Sequence, residues 1–514
     1  MNANEITPLL RGLITVCIMM ATVMQALDTT IANVALPYMQ GSLSTTQDQV
    51  NWVLTSYIVA AAIMTSPLGW VATRFGRRKV FIVCVAGFTV ASMLCGIAQT
   101  IEQMVGFRLL QGVFGAALVP LSQAVMLDIY PLERRGSAMA IWGMGVMLGP
   151  IMGPTLGGWL TENYTWRWVF YVNLPFGILT VLGLGAFLSE TPTRKDVPFS
   201  WFGFLTLSLG IGALQMMLDR GQEQNWFQSN EIIVEAILSV CGFYFFLSDA
   251  LTSERPFIPL RIFRDWNFSI ALLFMFLIGI ILLATMALVT PYIQILMGYP
   301  VLASGYLLGT RGIGTFFAMM IVGRLIGKFD SRLLVFFGLA LATYTLWEMV
   351  YWTPDVSAST VAIVSIGQGV GLGFVFVPLN TIAFATLPAQ VRTDGAALWT
   401  LIRNLGSSVG ISLMISGLTN NISVYHSQLA EFINPFNDGL VMPDVYGKLS
   451  TVGRGLAALE GMVTQQASVI AYSNAFLMMT FVSLAAFPLL ALIRNPRLPA
   501  GPPSPQDAAH AVMD

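Results

Sequence analysis

Charged residues are scarce in this chain. Asp, Glu, Lys and Arg together make up 10% of its 514 residues, whereas a soluble globular protein carries about 25%. The 25 basic and 26 acidic residues leave a net charge of -1, so there is no basic excess for binding a nucleic acid. This deficit excludes an ordinary soluble enzyme and an intrinsically disordered chain.

Cysteine and histidine are also rare. The four cysteines lie within apolar runs, and the two histidines, His426 and His510, are far apart in the sequence. We therefore predict neither a disulfide nor a metal site. The sequence also lacks the phosphate-binding pattern Gly-x4-Gly-Lys-Ser/Thr, which argues against ATP as an energy source. No cofactor and no catalytic residues are expected.

Apolar residues are abundant and occur in long runs. They form 56% of the chain, and a membrane-spanning helix needs about 20 of them in succession. Because the runs are too long for barrel strands, the sequence predicts an all-α polytopic membrane protein with fourteen transmembrane helices. The predicted spans are residues 13–36, 51–72, 80–99, 104–126, 138–160, 168–188, 201–218, 230–251, 268–296, 303–326, 333–353, 358–384, 394–417 and 470–493.

The loops carry an asymmetric distribution of Lys and Arg. If the N-terminus is inside, eighteen cations fall in inner segments and four, namely Arg167, Arg220, Lys448 and Arg454, in outer loops. Cytoplasmic loops carry the excess of positive charge. The sequence therefore predicts that both termini face the cytoplasm.

The chain contains an internal repeat. Residues 131–142 resemble residues 388–399 at an offset of 257, and residues 69–78 resemble residues 323–332 at an offset of 254. The copies are eight predicted helices apart, so a six-helix unit is repeated around a two-helix insert, as 6+2+6. The predicted divisions are an N-terminal six-helix bundle (1–188), the insert with its flanking loops (189–267), a C-terminal bundle (268–494) with a long outer loop (418–469), and a cytoplasmic tail (495–514).

The fifth predicted helix carries glycines four residues apart. A ridge without side chains lets another helix approach closely, and proline bends a helix by removing a hydrogen bond. The pattern predicts a hinge or antiport element, and a plain packing seam is the alternative. Its residues are Gly145, Gly149, Pro150, Gly153, Pro154, Gly157 and Gly158.

The loop between the second and third helices combines glycines with cations. We interpret it as a cytoplasmic gating loop, with cations that only set topology as the alternative. Its residues are Gly69, Arg74, Gly76, Arg77 and Arg78.

Asp28 and Arg108 are ionisable residues inside predicted spans. From their distances to the helix ends, both are expected in the outer half of the membrane at similar depth. A charge there is costly unless it is paired or reached by water. A carboxylate beside an arginine can exchange a proton when its surroundings change, so we predict that Asp28 carries protons and that Arg108 modulates it. A purely structural ion pair is the alternative.

Two further arginines, Arg311 and Arg403, also lie inside spans and need partners. Glu348 is a candidate counterion and proton-coupling residue, although depth alone does not pair it with either arginine. A gating or packing role remains open for both arginines. The polar residues expected beside them or along the substrate cavity are Asn33, Gln111, Gln368 and Asn404.

Several of these stretches resemble family signatures. Residues 69–79 resemble the loop signature G-x-x-x-D-R-x-G-R-R of the major facilitator superfamily, with Thr73 at the acidic position. Helix 5 resembles the antiporter motif of facilitator-type exporters. Residues 27–37 and 107–112 resemble the signatures of helices 1 and 4 in 14-helix drug:proton antiporters. Nearly the whole chain resembles the EmrB type within that family.

This resemblance implies a specific transport activity. It implies the major facilitator fold, an inner-membrane location and efflux of hydrophobic or amphipathic toxic compounds, driven by inward proton flow. It also implies an EmrA-like membrane-fusion adaptor and a TolC-like outer-membrane channel. Two alternatives stay open: the same fold exporting one metabolite, lipid or siderophore, and a membrane receptor or scaffold that transports nothing.

Overall fold

The computed structural model describes most of the chain. The described residues are 6–131, 134–193, 198–253, 256–258, 260–326, 328–388, 391–433 and 454–494. Within these ranges regular structure is helical, apart from one isolated bridge between Ile326 and Phe329. The predicted tail 495–514 and the middle of the predicted outer loop lie outside the described residues.

Thirteen helices in the described part of the chain are long and apolar enough to cross a membrane, and a bent helix pair brings the number to fourteen. This agrees with the fourteen predicted spans. We label them α1 (Pro8–Ser42), α2 (Gln47–Thr65 and Leu68–Phe75), α3 (Arg77–Ile97), α4 (Ile101–Gly115 and Leu118–Ile129), α5 (Arg135–Asn163), α6 (Trp168–Tyr171 and Asn173–Phe187), α7 (Trp201–Arg220), α8 (Asn230–Thr252), α9 (Trp266–Pro291, continued by the π-turn Tyr292–Leu296), α10 (Val301–Leu325), α11 (Ser331–Met349), α12 (Ala358–Ala385), α13 (Arg392–Ala430) and α14 (Arg454–Leu484 and Phe487–Leu492).

Polar side chains fix where many of these helices begin. At the start of α2, the Thr46 hydroxyl accepts a hydrogen bond from the backbone N–H of Gln49, and the Gln49 side-chain oxygen accepts one from the backbone N–H of Thr46. Such caps satisfy N–H groups that have no partner within the helix. The other capping residues are Thr7 (α1), Thr100 (α4), Ser200 (α7), Asp265 (α9), Asp330 (α11) and Ser357 (α12).

The glycine ridge of α5 packs against α1. A Cβ atom at Gly149 would overlap the backbone of Ala26, and one at Gly153 would overlap the Thr30 side chain. The Thr30 hydroxyl donates to the Gly149 carbonyl at 3.0 Å. Gly158 lies off this seam and has open space around it. The two helices can approach this closely because the ridge lacks side chains.

Helices α7 and α8 form a hairpin, which we call the insert. They approach closely where Gly210 meets Gly242. The insert contacts both α2 and α13, and the Trp226 indole donates to the Ser416 hydroxyl of α13 at 3.0 Å. The insert therefore bridges helices from both predicted bundles. The division into six, two and six helices stays a prediction.

Helix α13 is longer than a membrane span. The sequence predicted its end at residue 417, but the helix continues to Ala430. At 1.5 Å per residue its 39 residues extend about 58 Å. Two contacts join its outer part to α14: His426 to Glu460 at 2.8 Å and Asn474 to Tyr425 at 2.7 Å. A span-length criterion missed this extension because polar residues can continue a helix beyond the hydrocarbon.

Candidate functional site

Asp28 lies at the centre of a fully buried polar cluster. Its Oδ2 accepts a hydrogen bond from Arg108 Nη1 at 2.7 Å, and its Oδ1 accepts from Gln111 Nε2 at 2.8 Å and Asn173 Nδ2 at 3.2 Å. Asp28 and Arg108 are both 0% exposed. The structure thus brings together α1, α4 and α6, and places the two predicted ionisable residues in direct contact.

Arg108 is held on several sides. Its Nε donates to the Val53 carbonyl of α2 at 3.0 Å, and its Nη1 also donates to Gln111 Oε1 at 2.7 Å. Its guanidinium carbon lies 4.4 Å from the centre of the Tyr57 ring, within range of a cation–π interaction. These contacts hold the Arg108 guanidinium beside Asp28. Arg108 donates to only one of the two Asp28 carboxylate oxygens, and the other oxygen accepts from the amides of Gln111 and Asn173.

Sequence reasoning missed part of this cluster. Asn173 and Ser92 are not among the residues that the sequence patterns single out. Ser92 Oγ accepts from Asn173 Nδ2 at 2.9 Å and donates to the Phe170 carbonyl. Tyr57 accepts from Gln25 at 3.2 Å. An asparagine near the start of an apolar helix was the available signal for Asn173, because a buried amide needs partners.

The cluster can support proton exchange. An ionised Asp28 is neutralised by Arg108 and accepts hydrogen bonds from two amides. Separation of α4 from α1 would remove that neutralisation and leave two buried charges unpaired. The geometry therefore offers a carboxylate whose charge depends on helix positions.

The predicted C-terminal bundle contains two arginines whose contacts differ from those of Arg108. Arg311 Nη2 donates to the Leu282 carbonyl at 3.2 Å, and Arg403 contacts the Asn404 side-chain oxygen at 3.3 Å. Among the described residues, neither arginine has a carboxylate partner. Glu348 is half-buried near the end of α11, and the structure does not pair it with either one.

The predicted polar cavity residues do not gather at one place. Gln111 joins the Asp28 cluster. Asn33 is exposed, and Asn404 is half-buried beside Arg403. Gln368 is buried, and its Nε2 has no hydrogen-bond partner among the described residues. A cavity role for Asn33, Gln368 and Asn404 stays a prediction.

Charged residues join the two bundles at the end that carries Pro8, which we call the inner end. Asp128 at the end of α4 pairs with Arg77 of α3 and with Arg392 of α13, the latter at 2.7 Å. Arg78 donates to the Gly185 carbonyl. Gly76 forms the turn before α3 with a φ of 90°, a conformation that favours glycine. Arg74 lies in the last turn of α2.

Repeat-related residues also meet at the inner end. Gln123 and Asn380, which are 257 positions apart, share a hydrogen bond of 2.5 Å. The Ser137 hydroxyl donates to the Gly323 carbonyl, while Gly69 faces the Asp394 side chain. The Asp394 side chain of α13 thus places a carboxylate beside the predicted gating loop. In that loop, Thr73 occupies the position at which the family signature has an acidic residue. These contacts link the two bundles at the inner end.

Replacing Asp128 by Asn is expected to open the inner end more often. Asn cannot neutralise Arg77 and Arg392, and two partly exposed pairs contribute about 1–2 kcal/mol together, a shift of roughly five- to thirtyfold. The measurement is the labelling rate of a cysteine introduced at the buried Thr393, in a cysteine-free background. The exposed Asp355→Asn variant, the same chemical change away from the inner end, is the control. An unchanged labelling rate in Asp128→Asn would show that these pairs do not hold the inner end closed.

The fold defines a multi-pass membrane protein, and its similarity to a transporter family identifies it as a transporter rather than an enzyme. The sequence profile of the Major Facilitator Superfamily matches residues 18–411. The chain belongs to this superfamily.

Similarity to individual proteins places the chain in a narrower group within the superfamily. The multidrug export protein EmrB of Haemophilus influenzae is 36% identical over 484 residues, covering 92% of this chain and 94% of that protein. EmrB of Escherichia coli K12 is 35% identical over 456 residues, covering 88% and 89%. The fatty acid resistance protein FarB of Neisseria gonorrhoeae is 33% identical over 487 residues, covering 94% and 96%. The chain is thus an EmrB-type member of the superfamily, as predicted.

Solved structures support the fold at low identity. The human organic anion transporter TETRAN superposes with a TM-score of 0.58 at 14% identity and covers 93% of this chain and all of its own. The proton:xylose symporter XylE has a TM-score of 0.58 at 11% identity, covering 92% of this chain and 94% of its own. Similarity at these identities shows the fold alone. The predicted major facilitator fold is confirmed.

Proposed function

We propose that the protein is a proton-coupled multidrug efflux antiporter of the bacterial inner membrane. It exports hydrophobic and amphipathic toxic compounds by alternating access, using the proton gradient and not ATP. The observation that carries this proposal is the buried contact between Asp28 and Arg108 at 2.7 Å. The EmrB relatives, whose names describe multidrug export, support the choice of cargo.

The proposed cycle couples helix movement to the charge of Asp28. Asp28 is ionised while Arg108 contacts it, and it takes up a proton when rearrangement of α1 and α4 separates the pair. The glycine ridge of α5 provides the surface on which α1 moves. Residues 1–188 rock against 268–493: when the site faces outwards the drug leaves and a proton binds, and when it faces inwards the proton is released and the next drug binds.

One observation favours a narrower cargo. The FarB relative carries fatty acid resistance in its name and matches nearly the full chain. Arg311 and Arg403, which lack carboxylate partners among the described residues, would suit an acidic amphiphile. The second candidate is therefore an exporter of one lipid-like metabolite with the same fold.

We also propose partners outside the inner membrane. The outer extension of α13 and α14, held by the His426–Glu460 and Tyr425–Asn474 contacts, is long enough to offer a docking surface. An EmrA-like adaptor would bind there and lead cargo to a TolC-like channel. Weaker co-purification of the adaptor after replacement of Met462, which is 57% exposed, by Asp would support this assignment. Unchanged binding would count against it.

Flux measurements separate these functions. Purified protein in proteoliposomes should move several chemically unrelated hydrophobic drugs when a pH gradient is imposed, and should move none without one. Mutual competition among those drugs indicates a multidrug pump. Transport of acidic amphiphiles alone would favour the second candidate. No gradient-driven flux for any compound would contradict both.

A further inference from the structure

A carboxylate of the insert is buried on a helix that is otherwise largely exposed. Glu235 of α8 is 7% exposed, whereas its neighbour Val234 is 53% exposed. Ile232, Glu235, Ser239 and Gly242 are buried at helical spacing, so they share one face. That face packs on α7, because Ser239 donates to the Gly210 carbonyl. Glu235 therefore belongs to the α7–α8 interface.

Glu235 has an unsatisfied side-chain atom at that interface. Its Oε2 is buried and has no hydrogen-bond partner among the described residues. The residue lies about 8 Å along α8 from Asn230, inside an apolar span. An ionised carboxylate in such surroundings is unfavourable without a partner, and a proton removes its charge.

We propose that Glu235 is a second proton-binding site, located in the insert and separate from Asp28. The ligand is a proton taken from the outer side. This inference rests on the proposed proton coupling and extends it to two helices outside the repeated bundles. The site gives the insert a role in transport beyond packing.

One cation is placed to control this site. Arg220, at the end of α7, pairs with Glu231 of α8, and its guanidinium carbon lies 5.2 Å from the centre of the Trp52 ring of α2. Glu231 lies four residues before Glu235 on α8, so its pairing holds Arg220 one helical turn from Glu235. Asp219, which directly precedes Arg220 in α7, accepts a hydrogen bond from Thr55 of α2. A shift of Arg220 towards Glu235 would favour the ionised carboxylate and release its proton.

Movement of α2 can produce that shift. Besides the contacts of Trp52 and Thr55, Asn51 donates to Glu223 at 2.8 Å. The same segment of α2 offers the Val53 carbonyl to Arg108. Displacement of α2 therefore acts on the Arg108–Asp28 pair and on Arg220 together. Two carboxylates in different parts of the protein would then respond to one movement.

Carbodiimide labelling tests the protonation of Glu235 directly. Dicyclohexylcarbodiimide reacts with a protonated carboxyl group in apolar surroundings, and mass spectrometry locates the adduct. In the full-length protein in lipid nanodiscs, we expect Glu235 to react at neutral pH and to react less as the pH rises. Glu231→Gln should lower labelling of Glu235 because it frees Arg220, whereas the exposed Glu102→Gln should not. Absence of an adduct at Glu235, or labelling that ignores both pH and Glu231→Gln, would overturn the proposal.

Drug-induced proton release tests the transport role. Purified Glu235→Gln should bind drug but release roughly half the protons of the wild type, since two carboxylates share the release. Glu235→Asp should restore part of it. If Asp28→Asn lowers release while Glu235→Gln does not, this inference fails and the proposed function stands. If neither variant changes release, or the wild type releases none, both fail.

Discussion

Asp28→Asn is expected to abolish drug-dependent proton movement in everted membrane vesicles. Asn occupies nearly the same volume and can still accept hydrogen bonds from Gln111 and Asn173, but it cannot bind and release a proton at physiological pH. Coupled transport should fall to the level of vesicles without the protein. The exposed Asp355→Asn, the same chemical change outside the buried cluster, should leave coupling unchanged. Normal proton movement in Asp28→Asn would remove Asp28 from the mechanism.

Stability measurements distinguish coupling from a structural ion pair. Asp28→Asn leaves Arg108 buried without its counterion, a loss of about 3–5 kcal/mol for a buried pair. The double variant Asp28→Asn/Arg108→Gln removes both charges, so its melting temperature should recover while coupling stays absent. Recovery of both stability and coupling would show that the pair serves only to hold α1 against α4.

Gly149→Val is expected to disrupt transport through packing alone. Its Cβ would overlap the Ala26 backbone, so α1 and α5 must separate, and overpacking of this kind costs about 1–3 kcal/mol or more. Asp28 lies two residues beyond Ala26 on α1, so the displacement also reaches the Arg108 contact. Both the melting temperature and drug export should fall.

Gly158→Val is the matched control for that substitution. It lies on the same helix and makes the same chemical change, but a side chain there meets nothing within 4 Å. Its stability and export should stay close to those of the wild type. Equal losses of stability and export in the two variants would indicate that valine disrupts α5 at any position. The close approach of α5 to α1 would then not explain the effect of Gly149→Val.

Much of the architecture was accessible from the sequence because long apolar runs have few structural solutions in a membrane. The number of helices followed from the lengths of the apolar runs. The proximity of Asp28 to Arg108 followed from their similar predicted depth in the membrane. The depth of a residue, however, gives its position along the membrane normal and not the direction in which its side chain points around the helix axis. Glu348 could therefore be assigned to the eleventh span as a candidate counterion, but not paired with Arg311 or Arg403.

Other features depend on packing that no local pattern encodes. Asn173 reaches Asp28 because α6 packs beside α1, and Ser92 supports Asn173 from α3, which packs on α6. Glu235 stands near a helix end with no local pattern that marks it, and its burial comes from the packing of α8 on α7. The two inner-end pairs of Asp128 involve residues 51 and 264 positions away in the chain. Such contacts arise from the tertiary fold, so the sequence alone did not give them.

Helix α13 connects the inner end of the protein to its far outer tip without a break. It begins at Arg392, which pairs with Asp128, and ends at Ala430. A continuous helix of this kind acts as a lever: a tilt of about 10° moves a point about 40 Å from the pivot by about 7 Å. If the inner end opens and closes as proposed, the outer tip would move with it, and anything bound there would be displaced once in every transport cycle.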